Sequence, residues 1–445
     1  MPSGEARGGT GEGPAGESSG HAAVGPPLAP GTQAMPGAVY SPFADQIASW
    51  NAEKDGPLFP LHVGDTWRDP FVGARSEDIA SADVPRLHAY GDTRGIPALV
   101  EAVGDKLLRQ NGLDHGREEI LVTAGATGGL STVAGATLSP GDEILILAPF
   151  WPLIRGIAQS FRATPVEVPF FDRVATLEEA VAAVAAKITS KSRVLYISTP
   201  SNPTGRIIPG AWLEALAALA RKHDLWIFSD EVYEEYVYAG NDAGNDAENG
   251  ADTHAGRGPA EGGTAKQVES RAAARGEHVS IARFAPERTV SVYSVSKSYA
   301  MAGQRVGYLA GPERLIAEAR KIGTHLYYHA PIVGQHTALS ALRDGADWVA
   351  AARAQDRSVG ASVAKLLGQR IPEGGTFMFL DVRDKLDERG IPGLLEDCFR
   401  RGVLVAPGIS CGRDYGEWIR LSYTAAPGEA VLEAASRLSQ ILGER

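Results

Sequence analysis

Two cysteines in 445 residues, Cys398 and Cys411, exclude a disulfide framework and a Cys-rich metal site. Long apolar runs are also missing, and no stretch approaches the ~18 consecutive apolar residues of a membrane-spanning helix. The residues from Met1 onward lack the apolar core of a secretory signal. Positive charge is in deficit: 43 Lys and Arg stand against 54 Asp and Glu, a net charge of -11. That balance excludes a chain-wide basic footprint for nucleic acid or an anionic membrane. A cytoplasmic protein with neither kind of partner is the expectation.

Glycine (52) and proline (28) are plentiful, and much of the glycine falls in two places. Residues 1–32 carry nine glycines and only Met1, Val24 and Leu28 as large apolar residues. Residues 239–278 carry eight glycines and one large apolar residue, Val268. Neither segment can bury enough surface to offset the entropy of ordering. A disordered tail over 1–34 and a disordered insertion over 239–278 are therefore expected.

Elsewhere strand-like and helix-like runs alternate. Glu119–Thr123, Glu143–Leu147, Arg193–Ser198, Leu225–Ser229, Thr289–Ser294 and Arg305–Leu309 read as strands. Ile96–Gln110, Leu177–Lys187 and Ala211–His223 read as helices between them. From about Tyr327 the pattern changes to helices at Ile332–Leu342 and Ala346–Leu367, then strands at Phe377–Val382, Gly402–Val405 and Trp418–Ser422. The expected fold is α/β: a mostly parallel sheet with helices on both faces, followed by a smaller α+β domain. In such sheets ligands sit beyond the carboxyl ends of the strands.

Four tempting motifs fail on context. Gly408-Ile-Ser410-Cys-Gly412 spells a nucleophile elbow, but no helix-forming run or histidine follows it. Ser294-Val-Ser-Lys297 spells S-x-x-K without the companion K-T-G or S-D-N. His325 and His329 have zinc-ligand spacing, yet no third ligand is apparent. Gly125-Ala-Thr-Gly-Gly129 falls short of a dinucleotide fingerprint, although a helix starting there could still cradle a phosphate.

Other strand ends carry polar groups of one chemistry. Lys297 follows a β-run, and Asp230 and Glu231 end another, where buried carboxylates are costly unless paired. Thr199-Pro-Ser-Asn202-Pro-Thr-Gly205 makes a rigid turn. Arg305 lies eight residues past Lys297, and Arg420 sits within the apolar Trp-Ile-Arg-Leu-Ser. Such an arginine calls for an anionic partner.

In this order the set resembles the class I/II aminotransferases, fold-type I enzymes that use pyridoxal 5′-phosphate (PLP). The motifs are Tyr90-Gly-Asp-Thr-Arg-Gly95, Gly125-Ala-Thr127, Pro149-Phe-Trp151-Pro, Asn202-Pro-Thr-Gly, Asp230-Glu-Val-Tyr233, Ser294-Val-Ser-Lys297 with Arg305, and Ile419-Arg420-Leu-Ser. The resemblance runs from about Leu61 to the C-terminus. It implies that residues 35–75 pack with the small domain, that 76–326 form the large cofactor domain, and that 327–445 form the small one.

It also implies roles. Lys297 would form the Schiff base with the cofactor, Asp230 would face its ring nitrogen, and Tyr233 and Asn202 its phenolic oxygen. Trp151 would stack on the ring. The backbone at Ala126 and Thr127, with Ser294, Ser296 and Arg305, would hold the phosphate. Tyr90 would reach the phosphate of a neighbouring subunit, which implies a homodimer with shared active sites. Arg420 would bind the substrate α-carboxylate, helped by Gly64 and Asn202. No metal is implied.

The implied reaction moves an amino group between an L-amino acid and a 2-oxo acid. A carbon–sulfur lyase or an aminocyclopropane-carboxylate synthase-like enzyme is the alternative. The segment after Gly64 departs from the family's usual pattern, and Trp67 or Arg68 could shape the pocket there. No second arginine for a dicarboxylic side chain can be picked out, which favours neutral or aromatic amino acids.

Overall fold

A computed structural model describes residues 43–238 and 278–445, together with residues 29, 32 and 35. The expected disordered tail and insertion lie almost wholly outside the described residues.

Seven strands form the larger sheet: β1 (Ile120–Thr123), β2 (Glu143–Ala148), β3 (Thr164–Pro169), β4 (Ser192–Ser198), β5 (Trp226–Asp230), β6 (Thr289–Ser294) and β7 (Gly307–Ala310). Their spatial order is β1-β7-β6-β5-β4-β2-β3. Pairing is parallel from β3 across to β6, and β7 runs antiparallel to both β6 and β1. Central strands such as β4 are buried along most of their length, because helices cover both faces.

A second sheet has three strands, β8 (Phe377–Asp381), β9 (Ala406–Pro407) and β10 (Trp418–Ser422), in the order β8-β10-β9. It packs with the helices Gly390–Arg400 and Gly428–Gly443 in a core that also takes in Phe59 and Leu61. The helix Ala346–Leu366 bridges the layers: Val349 packs with Leu99 and Val103, whereas Val363 and Ala364 pack in the smaller core.

Three local expectations need correction, and one strand lies outside them. The strand predicted at Arg305–Leu309 begins at Gly307, because Arg305 takes a left-handed conformation (φ 54) after the short helix Ala302–Gln304. The predicted strand Gly402–Val405 is a helix exit. There Gly402 turns with φ +72 and the Val403 N–H returns to Cys398 O, so pairing with β10 starts only at Ala406. The helix predicted to Gln110 is α-helical only over Pro97–Lys106 and ends in a wider π turn. Strand β3 escapes the sequence pattern because Pro165 and Pro169 lie within it; it sits at the sheet edge, where a missing N–H is tolerated.

Among the described residues no helix is long and apolar enough to cross a membrane. Arg68 binds Asp356 through both terminal guanidinium nitrogens, at 2.9 and 2.7 Å, tying the segment after Gly64 to the long bridging helix. With side chains 10% and 2% exposed, this pair is a buried one. Removing one partner from such a pair costs about 3–5 kcal/mol. Arg68→Met is therefore expected to lower unfolding free energy in urea by that order. A loss within about 0.5 kcal/mol, as for an ordinary surface substitution, would contradict this account.

Candidate active site

One cavity of about 640 Å³ opens at the carboxyl ends of β4, β5 and β6. Its lining includes twelve of the thirteen residues singled out from sequence: Gly64, Ala126, Thr127, Trp151, Asn202, Asp230, Tyr233, Ser294, Ser296, Lys297, Arg305 and Arg420. The thirteenth, Tyr90, lies outside it. Tyr90 is 83% exposed and packs its ring on Tyr328, with centroids 4.9 Å apart.

Each wall follows from a local feature of the chain. At the end of β6 the Ser294 hydroxyl caps the short helix Val295–Ser298, accepting the Ser296 N–H at 3.1 Å. This turn carries Lys297 into the cavity, where its Nζ donates to Gly64 O. Burial, reinforced by the positive charge of Arg305 and Arg420 and opposed by Asp65, holds the Lys297 amine below its ordinary pKa.

The helix Gly125–Thr137 starts beside this turn, and Ala124 offers no side-chain cap to its first N–H groups. Two glycines allow the close approach. Gly125 has φ +72, and a Cβ there would stand 2.5 Å from the Arg305 guanidinium. A Cβ on Gly307 would stand 2.7 Å from Ala126 N. Uncapped N–H groups, two serine hydroxyls and a guanidinium thus crowd one spot. Among the described residues Arg305 has no carboxylate partner; its guanidinium donates only to Ala302 O, at 2.8 Å. The donor set suits a phosphate dianion.

Asp230 ends β5, buried. Its Oδ2 accepts the Tyr196 hydroxyl at 2.6 Å, and its Oδ1 lies 3.4 Å from the Val232 N–H. Burial raises its pKa to about 6, although the hydrogen bond from Tyr196 favours the anion. The neighbouring Glu231 points away and is satisfied by Ser229, Ser280, Ser291 and His278. Burial likewise raises the pKa of Tyr233, whose hydroxyl interacts with Asn202 and Thr376.

Arg420 comes from β10 in the smaller sheet. It is buried, donates to Asn202 Oδ1 at 3.1 Å and His62 O at 3.2 Å, and lies 4.6 Å over the Phe377 ring. Its Nε has no hydrogen-bond partner, and no carboxylate of the described residues pairs with it. Burial and this charge hold His62 down to about 4, so no second cation competes there.

Several features of the site were not foreseen. Tyr196 belongs by its pattern to a strand, and only its hydroxyl stands out in the apolar run Val-Leu-Tyr-Ile. Arg155 also lines the cavity, one helical turn beyond Trp151. Ile409 and Ser410, from the Gly408–Gly412 motif, also line the cavity on a short 3-10 helix in which Ser410 Oγ donates to Pro407 O. Conversely, Trp67 and Arg68 do not line the cavity: Arg68 is engaged by Asp356, and Trp67 is turned outward.

Comparison with known proteins agrees with this arrangement. The family model for aminotransferase class I and II matches residues 60–438. An aspartate/prephenate aminotransferase of Thermus thermophilus is 29% identical over 364 residues, covering 80% of this chain and 83% of that protein. An arginine–pyruvate transaminase of Pseudomonas aeruginosa is 29% identical over 430 residues, 91% and 98% of the two chains. The solved aspartate aminotransferase of Thermus thermophilus with maleate superposes with a TM-score of 0.76 at 27% identity, over 94% of this chain and all of that one. With its fold, its cavity and a family match across most of its length, this chain belongs to the class I and II aminotransferases.

Proposed function

We propose that this chain transfers an amino group between an L-amino acid and a 2-oxo acid, with pyridoxal 5′-phosphate seated in the cavity and Lys297 as its attachment point. One observation carries the reading: a lysine of depressed pKa shares a cavity with a buried carboxylate and with two guanidinium groups that have no carboxylate partner among the described residues.

The residues fit such a group. The first N–H groups of Gly125–Thr137, with Ser294, Ser296 and Arg305, would hold its phosphate; Asp230 would face its ring nitrogen; Tyr233 and Asn202 its phenolic oxygen; and Trp151 its ring. When bound, the cofactor supplies an electron sink for the charge left at the substrate Cα. Lys297 Nζ, neutral more readily than a solvated lysine, would take the Cα proton and pass it to the cofactor rather than back to Cα, where it would only restore the substrate. A positioned base of this kind typically contributes ~10²–10⁴-fold. Arg420 fixes the α-carboxylate by charge-assisted hydrogen bonds, with Gly64 and Asn202 beside it. The Phe377 ring keeps water from the back of that guanidinium.

Tyr90 would complete the phosphate site of a second copy, giving a homodimer. Its exposed ring, backed by Tyr328, is an aromatic surface suited to contact with another subunit.

Two outcomes test these roles. Lys297→Ala is expected to lose all turnover and the visible absorption of bound cofactor, and transamination retained in that variant would contradict the reading. The second concerns pH. The anion of Asp230 is the form that attracts a protonated ring nitrogen, and in the cofactor-free protein it titrates at about 6. Cofactor affinity is therefore full above that pH and declines as pH falls through it. Tyr196→Phe removes a donor to the anion, so the midpoint of affinity against pH, followed by fluorescence titration, should move upward. A midpoint that stayed or fell would rule out the assigned role of Tyr196.

A further inference from the structure

Glu231 directly follows Asp230 in the chain, yet no step proposed above employs it. It is fully buried and does not line the cavity. A carboxylate in such a place is costly, and well-packed apolar residues often serve stability as well. The fold nevertheless supplies it with four partners.

Three hydroxyls donate to its Oε1: Ser229 at 2.7 Å, Ser280 at 2.6 Å and Ser291 at 3.0 Å. Burial would raise the pKa of Glu231, but His278 and the serines outweigh it and hold the carboxyl below its ordinary value. Its Oε2 lies 2.9 Å from His278 Nε2, and since an ionised carboxylate only accepts, that nitrogen donates.

These partners come from separate pieces of chain. Ser229 lies on β5, and Ser291 is its register partner on β6. Ser280 caps the short helix Ile281–Arg283, accepting the Ala282 N–H at 3.2 Å. His278 is the first described residue after Tyr238. The Glu231 N–H donates to Val292 O at 2.9 Å, so backbone and side chain of one residue both cross from β5 to β6. Those are the strands that deliver Asp230 and, through the turn after Ser294, Lys297.

Glu231 is also a fixed charge beside Asp230. Burial chiefly raises the pKa of Asp230, and the like charge of Glu231 adds to it, against the hydrogen bonds from Tyr196 and Val232. Tyr196 and Tyr233 are the other titratable groups facing Asp230. Besides His278, the charge of Glu231 reaches His115, Tyr293 and Tyr308.

We propose that Glu231, held by His278, is a positioning residue for the reaction: it locks the ends of β5 and β6, so that Asp230 and Lys297 keep their relative placement, and it sets the charge beside Asp230. The inference rests on the aminotransferase reading.

The test compares wild-type protein with Glu231→Gln and Ser291→Ala. Removing the like charge lets Asp230 ionise at lower pH, so in Glu231→Gln the midpoint of cofactor affinity against pH, followed by fluorescence, should move downward. Its kcat with the best amino donor should fall about 10- to 100-fold, the scale on which small misplacements act, while KM holds because the Arg420 end is untouched. Ser291→Ala removes one strand contact and keeps the charge, so kcat should fall with the midpoint unmoved. A midpoint that stays or rises in Glu231→Gln, an unchanged kcat, or an equal midpoint shift in Ser291→Ala would overturn the inference. If Glu231→Gln does not fold, Ser291→Ala decides by its kcat. Wild-type protein that binds no cofactor or turns over no amino acid would refute the aminotransferase reading instead. Hydrogen exchange in peptides spanning 229–232 and 291–297 would then judge the clamp: faster exchange in Glu231→Gln supports it, and unchanged exchange contradicts it.

Discussion

An uncompensated set of cations is the constraint on which the site depends. Among the described residues Arg420 is buried with an unpartnered Nε and Arg305 meets only a backbone carbonyl, and Lys297 is desolvated under the charge of both. A buried charge without a partner is costly. The folded chain sustains that cost because rigid elements hold each group: a capped turn for Lys297, a left-handed residue for Arg305, and a strand buried in the smaller sheet for Arg420. Anions that enter relieve the repulsion, so binding energy is available at the positions where a phosphate and a carboxylate would sit.

The two sheets divide this task. Strands β4, β5 and β6 end together and deliver Tyr196, Asp230 and Lys297 from one side. The smaller sheet delivers Arg420, and the turn beyond β9 closes the rim with Ile409 and Ser410. The hydrogen bond from Phe150 N–H to Cys411 O, and that from the Tyr415 hydroxyl to Asp172 Oδ1 at 2.6 Å, lock one half against the other. These bonds fix the two walls of the cavity relative to each other.

Much of this was legible in the sequence wherever a local rule acts alone. Strand β6 spans the residues its β-branched run marks out, and the helices Leu177–Ala185 and Gly210–Lys222 fall within a few residues of their patterns. The motif residues at strand ends could be read because parallel sheets put chemistry there. What stayed hidden depends on contacts distant in the chain. Tyr196 becomes meaningful only when β4 and β5 pair and bring its hydroxyl to Asp230. Arg155 becomes visible only when its helix and the turn Gly408–Cys411, some 250 residues later in the chain, come to line one cavity. Prolines concealed β3 because their cost vanishes at a sheet edge, which a sequence pattern does not reveal.

The most direct measurement is peptide mass analysis after borohydride reduction of the protein with bound pyridoxal 5′-phosphate. The account predicts the reduced cofactor mass on the peptide carrying Lys297 and on no other lysine. A protein that retains no cofactor, or carries it on a different lysine, would contradict it.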